Sequence, residues 1–280
     1  MKRAPAGARG AFSHGATQVS YQNIIFDISA GVARLTLNRP ERLNSFNTAM
    51  HAEVRAALAA LKGADARVLV ISGAGRGFCA GQDLSDRAVA VGGGPPDLAD
   101  SIEKNYKPRV LALRALPLPV IAAVNGVAAG AGANIALACD LVVAARSASF
   151  VQAFAKLGLV PDSGGTWFLP RLIGTARALG LTLLGEKLSA EQAASWGLIW
   201  RCVEDAELAP VVESLALQLA AAPTRGLART KQAIYEGLNR TLREQLDIER
   251  DYQGELGRSA DYAEGVAAFS EKRAPRFTGR

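Results

Sequence analysis

Apolar residues recur with two periods along this chain. Residues 32–37, Val-Ala-Arg-Leu-Thr-Leu, alternate and predict a strand, which Asn38-Arg39-Pro40 ends. Met50, Val54, Ala57, Leu58 and Leu61 fall at helical spacing behind Asn47, a residue suited to cap the helix. Residues 67–72 form an apolar run that predicts a buried strand ending at Gly73-Ala74-Gly75. The run Gly92-Gly93-Gly94-Pro95-Pro96 predicts a loop over 87–97, followed by a helix to about Leu113. Residues 115–139 carry no charge, but Pro117, Pro119, Asn125, Gly126, Gly130, Gly132 and Asn134 are poor lipid-facing residues. The segment divides better into a buried strand at Val120–Val124, a glycine turn and a buried helix from about Gly130. Strands are expected at 141–145 and 149–153. Ser189 and Gln192 suggest a capping box for a short helix that Gly197 ends. From Leu208 onward the pattern is helical only, with helices around Val211–Ala220, 224–236, 241–257 and 260–271. The class is therefore α/β, with a flexible tail at 1–18, a core at 19–207 and a helical region at 208–280.

Composition narrows the function classes. The chain has 280 residues, 49% of them hydrophobic and 21% charged, enough for a sizeable core. The net charge of +6 is scattered and the aromatic content is only 6%, so the basic, aromatic-interleaved stripe of a nucleic-acid surface is absent. Cys79, Cys139 and Cys202 are far apart and form no metal or disulfide pattern, which makes a reducing cytoplasm the expected location. Lys2, Arg3 and Arg9 precede no apolar run, so a secretory signal is not expected.

Candidate chemistry concentrates in residues 104–185, which hold two acidic side chains, Asp140 and Asp162, and no histidine. A backbone-rich pocket with one acid/base group suits stabilising an oxyanion and moving a proton. Small residues in Phe78-Cys79-Ala80-Gly81-Gln82-Asp83-Leu84 either let the backbone approach a ligand or simply close a tight loop. In Asn125–Asn134, glycines ahead of a helix either expose N–H groups to an anion or permit close helix–strand packing. The segment lacks the Gly-Lys-Ser/Thr of a phosphate loop, and Gly126, Gly130 and Gly132 have the wrong spacing for a dinucleotide fold. Asp162, before Ser163-Gly164-Gly165-Thr166, is either a helix cap or a general base kept dry by Phe154, Leu157, Trp167 and Phe168. Cys79 and Cys139 have no histidine near them in sequence; His14 falls in the tail and His51 on the first helix.

Taken together, residues 78–84, Asn125-Gly126-Val127-Ala128-Ala129-Gly130-Ala131-Gly132 and Gly158-Leu159-Val160-Pro161-Asp162-Ser163-Gly164-Gly165-Thr166 resemble the signatures of the crotonase (enoyl-CoA hydratase/isomerase) superfamily. The likeness extends over about 20–280 and includes Asn38–Ser45 and Phe269–Phe277. It implies a spiral of ββα units with a helical trimerisation region, a homotrimer or hexamer, and an acyl-coenzyme A thioester as substrate. It implies no cofactor, no nucleic acid and no membrane. The N–H groups of Gln82 and Ala131 would then form an oxyanion hole. Arg42, Leu43, Ala80 and Asp83 would line the CoA site, with Lys272, from this or a neighbouring subunit, at its phosphates. Trp167 would help to enclose the acyl group. Hydratases of the superfamily carry two glutamates, where this chain has Asn134 and Phe154; its isomerases carry an aspartate at the position of Asp162. Asn134 would either orient substrate or satisfy buried backbone. Residues 154–167, 183–192 and 257–262 resemble the branch that expands the ring 1,2-epoxide of phenylacetyl-CoA to an oxepin and also shifts carbon–carbon double bonds. A hydratase or fatty enoyl-CoA isomerase, and a noncatalytic acyl-CoA-binding subunit, are the alternatives.

Overall fold

The computed structural model describes residues 21–87 and 97–280. The tail expected at 1–18 and the glycine–proline run at 92–96 lie outside them. Strands β1 (Ile24–Ser29) and β2 (Val32–Leu37) open the fold, followed by α1 (Thr48–Ala60), β3 (Val68–Gly73) and β4 (Gly77–Cys79). A short helix α2 (Leu98–Ser101) runs through a π-helical turn, Ile102–Tyr106, into α3 (Lys107–Ala115). The next elements are β5 (Val120–Val124), β6 (Val127–Ala129), α4 (Ala131–Leu137), β7 (Leu141–Ala145) and β8 (Ser149–Val151). The long helix α5 (Gly165–Leu184) bends at Gly174 and leads to β9 (Lys187–Ser189), α6 (Ala190–Ser195) and β10 (Arg201–Val203). Helices α7 (Leu208–Ala221), α8 (Thr224–Gly237), α9 (Leu242–Leu256) and α10 (Ala260–Glu271) complete the chain.

Two sheets organise these elements. One has the order β1-β2-β3-β5-β7-β10, the other β4-β6-β8-β9. In the first sheet only the β1–β2 pair is antiparallel. All five residues of β5 are buried, as expected of a parallel strand covered on both faces. Helix α7 packs against β2, β3, β5 and β7, so the first C-terminal helix helps to seal that sheet.

The observed elements depart from the sequence expectations where strands are short. Strand β1 alternates buried and exposed residues, but exposed Ile25 blurs its pattern. Its hairpin turns on Ala30 and Gly31, both at positive φ, without the Asn-Gly or Asp-Gly pair that marks such turns. The expected glycine turn contains β6, which pairs in parallel with β4 and β8. Ser189 does cap α6, its side chain accepting from the Gln192 N–H. Asn47 caps α1 in the same way through the Met50 N–H. At the far end, the buried Asp261 carboxylate accepts from the N–H groups of Thr278 and Gly279 at 2.7 and 2.8 Å, folding the last residues back onto α10.

Candidate active site

Two loops meet where the sheets adjoin. After β4, the chain at Gly81 passes so close to the β6–α4 turn that an added Cβ would lie 2.9 Å from the Ala129 oxygen and 3.5 Å from the Ala131 nitrogen. Gly130 has φ +53° and ψ −125°, a conformation that L side chains avoid, and it turns the chain into α4. The Gln82 strand segment is gripped from the other side. Phe46 N–H donates to the Gly81 oxygen at 2.7 Å and Asp83 N–H to the Phe46 oxygen at 2.9 Å. Among the described residues, neither Gln82 N–H nor Ala131 N–H donates to a main-chain carbonyl across the loops. The close-packing reading of the glycine run is visible directly. Gly132 packs against β4, where a Cβ would come within 2.2 Å of the Cys79 oxygen, and the same packing leaves the Ala131 N–H at the open start of a helix.

Helix α4 also holds the carboxylate loop. Asn134, one helical turn after Ala131, is fully buried. Its amide nitrogen donates to the Asp162 main-chain oxygen at 2.8 Å, and its oxygen accepts from the Gln152 amide at 2.8 Å. Of the two roles open to Asn134, these contacts satisfy buried protein groups and fix the Asp162 loop; the side chain is engaged with protein and closed to solvent. These contacts support the Asp162 loop, the second of the two roles. Asp162 is half-buried, and its carboxylate accepts from the Ser163 hydroxyl at 2.9 Å. The cap position of α5 belongs to Gly164, with no side-chain cap. The helix-cap reading of Asp162 therefore fails. Phe154 is buried, with its ring 3.6 Å from a Cβ placed on Gly130. Trp167 packs edge-on to Phe168, with the Arg171 guanidinium 4.2 Å over its ring.

The rival acid is committed elsewhere. Asp140 pairs with Lys231 at 2.9 Å, accepts from the Val120 N–H at 2.7 Å and accepts a hydrogen bond from the Tyr235 hydroxyl. Lys231 also donates to the carbonyls of Leu113 and Leu118. Desolvation pulls its pKa below the ordinary lysine value, against the opposing charge of Asp140. This cluster ties α8 to the sheet. The thiols are inert as well: burial pushes Cys79 up to about 11 and also raises Cys139. Neither is a thiolate at neutral pH.

The positions matched to the CoA site lie on the approach to Gln82. Exposed Arg42 ends a short 3-10 turn, and Leu43 follows in the left-handed region. Ala80 N–H donates to the Leu43 oxygen at 2.9 Å, which holds these two segments side by side. Asp83 is buried and ion-pairs with Arg39 at 2.9 Å, with the Ser85 hydroxyl at 2.6 Å. The Ser85 hydroxyl and then Arg39 hold its pKa below the ordinary carboxylate range, against the cost of burial. Its side chain ties loops together, leaving Arg42, Leu43 and Ala80 as the less buried groups of this set. Lys272 is exposed at the C-cap of α10.

Three residues that sequence reasoning passed over surround Gln82. Tyr106, His51 and Arg109 are each at most 3% exposed. Tyr106 hydroxyl donates to Gln82 Oε1 at 2.6 Å, and His51 Nε2 lies 3.4 Å from the same oxygen. The available signal was positional: His51 precedes Val54 by three and Leu58 by seven on the apolar face of α1. A cavity of about 930 Å³ lies between α3, the start of α5 and helices α8 and α9. Gly164, Trp167 and Phe168 line it, but Gln82, Ala131 and Asp162 do not. The first turn of α5 thus connects this cavity with the Asp162 loop. Among the described residues no group of three His, Cys, Asp or Glu side chains could hold a metal ion, and no helix is long and apolar enough to cross a membrane.

Residues 27–280 match the family described as enoyl-CoA hydratase/isomerase. The chain belongs to that family. It is 59% identical over 258 residues to the 1,2-epoxyphenylacetyl-CoA isomerase of Escherichia coli (strain K12), covering 92% of this chain and 98% of that protein. It is 51% identical over 262 residues to a probable enoyl-CoA hydratase of Rhodobacter capsulatus, covering 94% of this chain and all of that one. Among solved structures, a putative enoyl-CoA hydratase/isomerase from Mycobacterium abscessus superposes with a TM-score of 0.88 at 37% identity, over 92% of this chain and 100% of that one. As a member of the enoyl-CoA hydratase/isomerase family, the chain has the crotonase fold expected from its motifs, with its helical C-terminal region.

Proposed function

We propose that this protein is an acyl-CoA isomerase that converts 1,2-epoxyphenylacetyl-CoA to its oxepin form, shifts a double bond in an unsaturated acyl-CoA, or does both. The observation that carries this reading is the identity of the three residues around α4. Asp162 is the carboxylate, while buried Asn134 and Phe154 stand where hydratases would hold water with glutamates. The substrate name comes from the 59% identical relative.

In this reading the N–H groups of Gln82 and Ala131 hold the thioester oxygen as negative charge develops on it. In the double-bond shift Asp162 takes a proton from one carbon and returns it at another; in the ring expansion the bond between the two epoxide carbons opens to give the seven-membered ring, with Asp162 acting mainly on bond polarity and positioning. The proton is conserved and no electrons leave the substrate, so the reaction needs no cofactor beyond the CoA of the substrate. Arg42, Leu43, Ala80 and Lys272 contact CoA, Asp83 shapes that site from behind, and Trp167 with Phe154 keeps water from the acyl group. Phe269, 86% exposed, and Leu242, 75% exposed, suit burial in a homotrimer or a hexamer, and we place the enzyme in the cytoplasm. The test is a comparison of thioesters. The purified protein should isomerise the ring epoxide or a β,γ-unsaturated acyl-CoA and should hydrate crotonyl-CoA at least about 100-fold more slowly. The Rhodobacter relative favours a hydratase as the second reading, and efficient loss of the enoyl absorbance of crotonyl-CoA would establish it. Tight CoA binding with no turnover of any of these thioesters would mark a binding subunit.

A further inference from the structure

Behind Gln82 lies a buried guanidinium with no evident structural need. Arg109 is 2% exposed, and its Nη1 donates to His51 Nδ1 at 2.9 Å. Its guanidinium carbon lies 4.0 Å over the Phe46 ring and 4.7 Å over the Tyr106 ring. Among the described residues its Nε and Nη2 have no hydrogen-bond partner. Burying a charge this way is costly, and two stacked rings recover only part of that cost. Buried donors without partners are rare enough to call for a functional reason.

The donor inventory decides what this arrangement does. An arginine donates and cannot accept. Burial brings its pKa down to about 10, so Arg109 is a cation at neutral pH. His51 Nδ1 must then be the acceptor, which places the ring proton of the neutral imidazole on Nε2, toward Gln82 Oε1. Tyr106 adds the second donor to that oxygen. The Gln82 amide is thereby oriented, with its nitrogen directed to the Asp83 carbonyl at 3.4 Å. The main chain on both sides of Gln82 is already gripped by Phe46.

We propose that Arg109 is a positioning residue, which locks His51 in a single tautomer so that His51 and Tyr106 together fix Gln82 and aim its main-chain N–H. This inference rests on the reading of that N–H as an oxyanion donor. The elements involved are α1, the π-helical turn, α3 and the loop after β4. The π-helical turn, unusual in itself, ends at Tyr106, three residues before Arg109.

The chain has only two histidines, so the tautomer is directly readable. In protein labelled with ¹⁵N-histidine, with His14→Asn used for assignment, long-range proton–nitrogen spectra at neutral pH should show His51 protonated at Nε2 and bare at Nδ1. Arg109→Met should introduce the Nδ1-protonated form and lower kcat by ~10-fold or more, with KM within ~2-fold, since a displaced oxyanion donor weakens the transition state more than the bound substrate. Arg109→Lys, which keeps a donor and a charge, should keep the Nε2 tautomer and recover most of kcat. If Arg109→Met does not fold, Tyr106→Phe removes the partner donor without touching the charge and should lower kcat several-fold with the His51 tautomer intact. A native protein protonated at Nδ1 overturns the proposal. So does a folded Arg109→Met, or in its place Tyr106→Phe, with unchanged kcat. Failure of the native protein to turn over any acyl-CoA would instead overturn the functional reading, while the tautomer still reports on the lock.

Discussion

Asp140 and Asp162 are the two acids of residues 104–185, and they are used in opposite ways. Around Asp140, Lys231, the Tyr235 hydroxyl and the Val120 N–H are all turned inward upon the carboxylate. Around Asp162, contacts reach the main chain as well as the side chain. Asn134 takes its carbonyl, Gly165 N–H donates to the same oxygen at 2.9 Å, and the carboxylate itself receives the Ser163 hydroxyl. One region spends its charge on joining a helix to a sheet. The other holds the backbone of its loop, with the carboxylate half-buried. The difference teaches that two acids of one stretch can be held through different atoms, Asp140 through its carboxylate and Asp162 also through its main-chain oxygen.

Substitution tests that comparison, and the largest effect belongs to Asp162. Asp162→Asn should reduce kcat by about 10²–10⁴-fold, the range of a general acid–base group, with little change in the affinity for CoA or in thermal stability. Near-normal isomerisation by the folded variant would remove Asp162 from the mechanism. Asp140→Asn should show the converse. It leaves Lys231 buried beside a neutral partner and should cost about 3 kcal/mol of stability, read by thermal or denaturant unfolding, while kcat of the folded protein stays within ~2-fold. A loss of activity without a loss of stability would reverse the two assignments.

Asp83 sharpens the contrast as a third case, paired yet close to the site. Its carboxylate is held below the ordinary range by Ser85 and Arg39, so its folded pKa is lower than its unfolded one. Such a group stabilises the protein fully above the unfolded value, about pH 4, and that contribution is lost as pH falls through the folded value. Asp83→Asn should therefore cost about 2 kcal/mol at pH 7, and the difference from the native protein should shrink below about pH 4. A difference in unfolding free energy that stays constant down to pH 3 would show that packing and not charge accounts for the loss.

The comparison also explains why parts of the molecule were legible before the coordinates. Strands β2, β3, β5 and β7 are continuous or alternating apolar runs because each is buried on one or both faces, and burial leaves a local pattern. The caps at Asn47 and Ser189 were legible because a cap is a contact within three residues. Strands β6, β9 and β10, of three residues each, were not, because so short a segment carries no period and is held only by its neighbours in the sheet. Asp162 and Gly126–Gly132 were legible as motifs, whereas His51, Tyr106 and Arg109 were not. Each of these three reads alone as an ordinary helix residue, and they come together only when α1 and α3 pack across the loop at Gln82.

The order of residues alone determined where the chain could bury itself, which turns it needed, and that one acid stood beside a glycine-rich helix start. These properties arise from neighbours a few positions apart. Only the tertiary structure decided which of two aspartates is bound up in a structural pair, that Asn134 serves the backbone of the Asp162 loop, and that a buried arginine stands behind Gln82. Those outcomes depend on contacts between residues 18 to 95 positions apart, such as Gln152 with Asn134 apart by 18 and Tyr235 with Asp140 apart by 95, and no local pattern encodes a distance that the packing of helices on sheets has yet to set.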